Sequence, residues 1–490
     1  MAFYQKPPQL LAVAFIAYFA FCAYTSITLP FFIGDEANYA NAYFEFAKTG
    51  RPDVYGELVV KPAGMFLLSY VPLQMLLAAG SMGGIPVEIP FRIVSMLFGA
   101  GTIAVVYWIF KKLTGSAQAA AAGAIVFLIN PNFLMSSATY YPDSFLQFFA
   151  FLSIAAMFWD EGRRGAIVGG LFCGIAFYIK MQQAFFIFAI AIPLLYFRGR
   201  IRLDYLLFCA LFCAIALVAI VMPYYPQRME QFMLLANTEL FARAGAGLGY
   251  ASSSIATALF LYAAAIPFFI CMLFYSFQLG KKEDFRFEYV QIAILLAFMA
   301  FVNNFFYTSM LFFGFALLAG KVYVHLWKFE KVAFFALVAL VLLNSFLIMG
   351  SFDKDSAYDY RSQKQLGEFL AGKYPITFVT EIPQMSIWKV YENRYLAEGS
   401  PLLLANMRMC VLPYKFMNEN ESRLDEINAV YYNRSLELVS EEGTGKLGRY
   451  VVLENRTYAK YAKNLKGYER IAAFGQEPGF FVYWKAGEKG

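Results

Sequence analysis

Histidine and charged residues are scarce in this sequence. The chain has one histidine, His325, and its charged residues make up 15% of the total, against about 25% in an average soluble protein. A single histidine argues against a His-rich metal site and against a Ser-His-Asp triad. Five of the six cysteines lie in apolar segments, where they read as small hydrophobic residues. Cys410 alone lies in the polar C-terminal part, which therefore has no internal disulfide.

Apolar residues are abundant instead. Hydrophobic residues make up 60% of the chain, mean hydropathy is +0.53, and there are 54 Phe and 34 Tyr. Such a chain needs lipid as its solvent, and a spanning helix needs roughly 20 apolar residues. The pattern predicts a polytopic α-helical membrane protein of about eleven transmembrane helices, at about 10–29, 90–110, 117–135, 143–159, 165–179, 183–197, 204–222, 256–278, 289–305, 307–320 and 330–349. The first segment is too long for the hydrophobic region of a typical signal peptide, no small-residue cleavage site follows it, and it is read as a retained anchor.

Lysine and arginine are distributed unequally between the two sets of loops. Alternate loops, near residues 6, 111–112, 163–164, 198–202, 281–286 and 321–331, carry about twice as many as the opposite loops. Basic loops face the cytoplasm, which places the N-terminus there. A bacterial inner membrane is the expected location. An odd number of spans then places the C-terminus outside, in the periplasm or the extracellular space.

Composition changes after Gly350. Residues 1–350 form the predicted membrane domain, with a long first outer loop at 30–89. The apolar stretch Ala63–Ala79 of this loop is expected to lie along the membrane interface or to be re-entrant. Residues 351–490 hold no segment long enough to span. Their order predicts a C-terminal extracytoplasmic α/β domain, with a helix over Gln363–Ala371 and strands over Ile376–Thr380, Tyr450–Leu453, Arg470–Phe474 and Phe480–Trp484.

The first outer loop begins with two carboxylates, Asp35 and Glu36, at the mouth of the first span. A carboxylate at the membrane boundary is costly and is therefore a candidate functional group. Asp35 could act as general base toward a sugar hydroxyl. It could equally cap the helix predicted over Ala37–Lys48, since Asp is a preferred N-cap residue. The two carboxylates could also bind a divalent cation, although no other residues of the sequence have the spacing of metal ligands.

A third carboxylate, Asp143, follows Tyr141 and Pro142 at the start of a span on the same side. Pro-Asp before an apolar run is an ordinary helix-start signal. Asp143 becomes a candidate site residue because it and Asp35 are both predicted on the outer side of the membrane.

Basic residues on the outer side are the candidate phosphate ligands. Lys180 separates two apolar runs of only about 15 residues, each roughly 22 Å long as a helix, so the hairpin should stop below the surface of a 30 Å hydrocarbon core. Lys180 could meet a lipid phosphate there, or simply extend to the interface. Arg92 could bind phosphate or anchor its span. Arg228 and Arg243 lie in a glycine-rich loop that is either a lid or an ordinary connection.

Taken together, these segments resemble a known superfamily. The run GDEANYANAYFEFAKTG, then KP at 61–62, FRIVSMLFGA, YYPDSFLQFFAFLSI and GIAFYIKMQQAFFIFAIAI, in this order, is similar to the protein O-mannosyltransferase and aminoarabinose (lipid A) transferase families. Both belong to the GT-C superfamily of membrane glycosyltransferases. The similarity extends over about residues 10–200.

The resemblance implies an inverting transfer of a sugar from a polyprenyl-phosphate donor to a hydroxyl of lipid A or lipopolysaccharide, another cell-envelope glycan, or a protein. Asp35 would be the catalytic carboxylate. Donor or acceptor positioning would fall to Glu36, Tyr141 and Asp143. Lipid-phosphate binding would fall to Lys61, Arg92 and Lys180. A transporter without transferase activity is the alternative, although the sequence has no repeated halves and its charges lie at span ends.

Overall fold

The structure, a computed structural model, describes residues 7–30, 35–49, 64–199, 202–222, 266–280, 283–301, 308–351, 360–370, 376–380, 402–404, 450–454, 465, 467–474 and 480–485. The chain divides into two compact units. The first comprises Met1–Thr28, Lys61–Gln227 and Gly247–Gly350, and the second comprises Leu29–Val60, Arg228–Ala246 and Ser351–Gly490.

Each regular element described in the first unit is a helix. Helix α2 (Asp35–Thr49) belongs to the second unit. The helices of the first unit are α1 (Pro7–Thr28), α3 (Gly64–Gly83), α4 (Glu88–Thr114), α5 (Ala117–Leu128), α6 (Pro131–Ala138), α7 (Pro142–Trp159), α8 (Arg163–Ile179), α9 (Met181–Phe197), α10 (Leu203–Val221), α11 (Ile266–Leu279), α12 (Arg286–Phe301), α13 (Thr308–Leu311), α14 (Phe313–His325) and α15 (Lys328–Ser351).

Six described helices are long and apolar enough to cross a membrane, and a bent pair would make a seventh. Three more apolar helices in the described residues are shorter, at Ala184–Phe197, Ile266–Leu279 and Ser309–His325. The helical membrane architecture expected from the sequence is confirmed, while the count of eleven spans stays a prediction.

The segment 117–135, expected as one span, is instead two helices. Helices α5 and α6 meet at an angle of 70°. Pro131 has no N–H to continue a helix from α5. The Asn130 side chain accepts hydrogen bonds from the backbone N–H of Asn132 (2.9 Å) and Phe133 (3.3 Å) and so begins α6. An N-cap of this kind starts a new helix in a new direction.

Residues 63–79 were expected to lie along the interface or to be re-entrant. The structure gives a continuous 20-residue helix, α3, which meets the length and hydropathy requirements of a span. The first outer loop therefore contains a helix of spanning length.

Helices α8 and α10 approach closely through small residues. Ala166, Gly170 and Gly174 recur every fourth residue along α8, the spacing at which small residues let two apolar helices meet. A Cβ atom at Gly170 would lie 2.7 Å from the backbone carbon of Phe208, and one at Gly174 would lie 2.7 Å from Cβ of Phe212. This contact fixes α8, whose last residue precedes Lys180.

The five cysteines of the apolar segments are free thiols. Cys22, Cys173, Cys209, Cys213 and Cys271 form no disulfide in the structure, and Cys410 lies outside the described residues.

The second unit contains α2 (Asp35–Thr49), α16 (Tyr360–Leu370) and strands β1 (Ile376–Thr380), β2 (Leu402–Leu404), β3 (Tyr450–Glu454), β4 (Tyr468–Phe474) and β5 (Phe480–Lys485). The strands form one sheet in the order β2-β1-β3-β5-β4. Strand β1 is parallel to β2 and β3, and β5 is antiparallel to β3 and β4. The buried side chains of Val451, Leu453 and Val482 lie at its centre. The expected helix and four expected strands are present, and β2 is an addition.

Substituting Gly170 by Ala should lower the melting temperature of the purified protein in detergent. The new Cβ would meet backbone atoms that cannot rotate away, and overpacking of this kind costs about 1–3 kcal/mol. Gly83→Ala is the matched control, because its Cβ would meet nothing closer than 3.6 Å. Equal melting temperatures for the two variants would contradict the close packing of α8 on α10.

Candidate active site

Lys180 lies at the turn of a short helical hairpin. Helices α8 and α9 have 17 residues each, which is roughly 25 Å at 1.5 Å per residue and less than the 30 Å of a hydrocarbon core. Lys180 has an extended backbone between them, with φ −156° and ψ 90°. The two short helices expected on either side of Lys180 are therefore present, and their length favours a break below the membrane surface.

Asp143 lies in the first turn of α7, where two features of the sequence begin the helix. Tyr141 has an extended backbone and occupies the N-cap position, and Pro142 takes the first helical position, where a missing N–H costs nothing. The hydroxyl of Ser144 donates to the carbonyl of Tyr141 at 3.1 Å. The carboxylate of Asp143 is 1% exposed, in a turn where the helix dipole favours negative charge.

Asp143 and Lys180 form an ion pair. The Nζ atom of Lys180 lies 3.0 Å from Oδ2 and 3.2 Å from Oδ1 of Asp143, and the lysine side chain is 18% exposed. A buried carboxylate without a counter-charge would be strongly unfavourable, so the lysine neutralises it. Two residues selected separately from the sequence thus come together, although their pairing was not foreseen.

Neighbouring helices support this part of the first unit through Tyr140. Its hydroxyl lies 2.9 Å from Oγ of Ser69 on α3, and its ring packs edge-on against Phe91 on α4 with centroids 4.7 Å apart. The next residue, Arg92, is buried, with 2% exposure. Both interpretations of Arg92 from the sequence, phosphate binding and anchoring of its span, stay predictions.

A further polar group, missed by the sequence analysis, lies one helical turn below Asp143. Gln147 is 1% exposed, and its Nε2 donates to Oγ of Ser309 on α13 at 2.8 Å. Its Oε1 is buried and has no hydrogen-bond partner among the residues that the structure describes. The spacing of four from Asp143 in the run PDSFLQ places both side chains on one face of α7, which was the available signal.

The remaining predicted residues have different outcomes. Asp35 and Glu36 are the first two residues of α2, and Glu36 is buried. The helix expected over 37–48 is therefore present, and the side chain of Asp35 lies outside the described residues. Lys61, Arg228 and Arg243 also lie outside them.

Within the described residues no three His, Cys, Asp or Glu side chains are grouped to hold a metal ion.

A bundle of apolar helices followed in the chain by a small sheet is the architecture on which the likeness to known proteins rests. The sequence model of the family described as dolichyl-phosphate-mannose-protein mannosyltransferase matches residues 80–224. That stretch contains Asp143 and Lys180 and excludes Asp35.

Two solved structures are similar to this chain over almost its whole length. A crystal structure of ArnT from Cupriavidus metallidurans bound to undecaprenyl phosphate superposes with a TM-score of 0.62, at 13% identity and over 97% of each chain. The apo structure of the same protein gives 0.59, at 14% identity and 97% coverage of each chain. Among curated protein sequences, none matches significantly. The GT-C resemblance drawn from the sequence motifs is therefore confirmed at the level of fold.

The Asp143–Lys180 pair should respond to substitution as a buried pair. Lys180→Met leaves the carboxylate without its counter-charge and should destabilise the protein by about 3 kcal/mol. The double variant Asp143→Asn with Lys180→Met should lose less stability than Lys180→Met alone, because it leaves no unpaired charge. Melting temperatures of the purified variants test this order. A double variant that loses as much as the sum of both single variants would contradict it.

An exposed ion pair in the same unit provides the control. The Arg286 guanidinium hydrogen-bonds the Asp284 carboxylate and lowers its pKa to about 2, but the two side chains are 72% and 59% exposed. Pairs of this kind contribute little to stability. Arg286→Met should therefore leave the melting temperature nearly unchanged.

Proposed function

We propose that this chain is an inverting glycosyltransferase that moves a sugar from a polyprenyl-phosphate donor to a hydroxyl of an extracytoplasmic acceptor. The acceptor classes are lipid A or lipopolysaccharide, another cell-envelope glycan, and a protein. The observation that carries the proposal is the buried Asp143–Lys180 pair at the turn of a short hairpin, in a fold shared with a protein that binds undecaprenyl phosphate.

The chemistry is a single displacement. The acceptor oxygen forms a bond to the anomeric carbon while the bond from that carbon to the phosphate oxygen breaks. The hydroxyl proton passes to the carboxylate of Asp35, and the polyprenyl phosphate leaves with the bonding electron pair. Charge grows on the phosphate as the bond breaks, and fixed cations stabilise that change.

Positions near the leaving phosphate are assigned to Lys61, Arg92 and Lys180. Arg92 and Lys180 lie in α4 and in the α8–α9 turn of the same unit. Asp143 holds the Lys180 ammonium in place through contacts of 3.0 and 3.2 Å. Asp143, Tyr141 and Glu36 would position donor or acceptor, and Arg228 and Arg243 would belong to a loop that closes over them.

Location follows from the same proposal. The described residues include six apolar helices of spanning length, which support an integral membrane protein. With the N-terminus cytoplasmic, the Asp143–Lys180 pair and the second unit would face the periplasm or the extracellular space. A polyprenyl-phosphate sugar, whose lipid keeps it in the bilayer, would reach the pair at headgroup depth.

A transporter is the second candidate, and one observation favours it. Helices broken within a membrane often form transporter binding sites, and α5 and α6 form such a break. Uptake of labelled substrate into vesicles without glycosylated product would favour transport. Labelled sugar recovered on an acceptor would favour the transferase.

Asp35→Asn should reduce transfer by at least about a hundredfold, since the amide cannot accept the acceptor proton. The sugar and acceptor would first be identified by mass spectrometry of lipids and glycans from cells lacking the protein. Complementation with Asp35→Asn should leave that sugar missing, while Glu368→Gln, an exposed carboxylate change on α16, should restore it. Restoration by Asp35→Asn would remove Asp35 from the mechanism.

Lys61→Ala should weaken use of the donor, because one cation near the leaving phosphate is lost. The expected result is a raised KM for the polyprenyl-phosphate sugar in a detergent assay, with the acceptor KM unchanged. Donor dependence identical to that of the unmodified protein would show that Lys61 is only an interface residue.

A further inference from the structure

The second unit joins the segment that carries Asp35 to the C-terminal part of the chain. Residues Leu29–Val60 group with Ser351–Gly490. One contact described within this unit connects sequence positions 334 residues apart: the ammonium of Lys364 donates to the backbone carbonyl of Pro30 at 2.6 Å. This contact is short, and a charged donor makes it stronger than a neutral hydrogen bond.

The lysine is held on a helix that is itself anchored. Helix α16 buries Ser362 and Leu366, and its Phe369 ring lies 5.3 Å from the ring of Phe474 on β4. Lys364 therefore extends from an element packed on the sheet.

The acceptor end of the contact is also restricted. Pro30 has its φ angle fixed by its ring, and the residue before a proline is confined to extended conformations. That residue, Leu29, is fully buried. A hydrogen bond to the carbonyl of Pro30 thus fixes a point of the chain that has little freedom of its own.

This fixed point lies close to the proposed general base. Pro30 precedes Asp35 by five residues, a reach of at most about 18 Å even when fully extended, and Asp35 is the first residue of α2. A general base needs placement within hydrogen-bond reach of its proton, and a displacement of about 1 Å can cost a hundredfold in rate.

We propose that Lys364 is a positioning residue: by binding the Pro30 carbonyl, the C-terminal part holds the Asp35 segment in its catalytic position. This inference rests on the proposed function of Asp35 as general base. It gives the C-terminal α/β part a role in the chemistry itself, in addition to any role in acceptor binding.

The test compares three variants on one helix. Lys364→Ala removes the donor, Lys364→Arg keeps a cationic donor of similar reach, and Glu368→Ala changes an exposed residue one turn away. Two readouts are measured in the full-length protein: kcat and KM of the transfer reaction, and hydrogen exchange of the peptide covering residues 31–49.

Lys364→Ala should lower kcat about tenfold or more with the donor KM unchanged, and should speed exchange in residues 31–49. Lys364→Arg should recover most of kcat, and Glu368→Ala should match the unmodified protein in both readouts. A general loss of structure would instead speed exchange throughout the chain and would not be corrected by Lys364→Arg.

Two outcomes separate this inference from the function on which it rests. If Lys364→Ala keeps full kcat and unchanged exchange while Asp35→Asn abolishes transfer, the positioning role is wrong and the transferase stands. If exchange rises in residues 31–49 while Asp35→Asn remains fully active, the contact stands and Asp35 is not the base, which overturns the catalytic part of the inference.

Discussion

The charge balance between Asp143 and Lys180 is the constraint on which the packing of the first unit and its candidate chemistry depend. A carboxylate with 1% exposure in an apolar helical unit is tolerated only with a counter-charge close to it. That counter-charge comes from the break between two helices of 17 residues each, and the first of them is held by the glycine contact between α8 and α10. The packing of the unit and its candidate chemistry are therefore linked through one pair of side chains.

Much of this arrangement could be predicted from the sequence, because lipid imposes strict rules on length and charge. The two short apolar runs around Lys180 predicted the hairpin, and Pro142-Asp143 predicted the start of α7. Short apolar runs rich in β-branched and aromatic residues predicted β1, β3, β4 and β5 almost to their ends. In each case the determining signal is local, so neighbouring residues are enough to define it.

What could not be predicted depends on contacts between distant segments. The bend between α5 and α6 comes from an Asn130 cap inside an otherwise continuous apolar run, which hydropathy does not distinguish from a straight span. The Gln147–Ser309 contact joins residues 162 positions apart. The contact of Lys364 with Pro30 likewise requires the folded second unit, and no composition boundary groups residues 29–60 with the C-terminal part.

The central claim is that the start of α7 meets the break between α8 and α9, so that the Lys180 ammonium balances the buried carboxylate of Asp143. Its most direct test is the distance between spin labels at positions 141 and 181, in a protein otherwise free of cysteine and reconstituted in lipid bilayers. The account predicts a distance of about 20 Å or less. A distance near or above the roughly 30 Å of the hydrocarbon core would separate the two residues and contradict the charge pair.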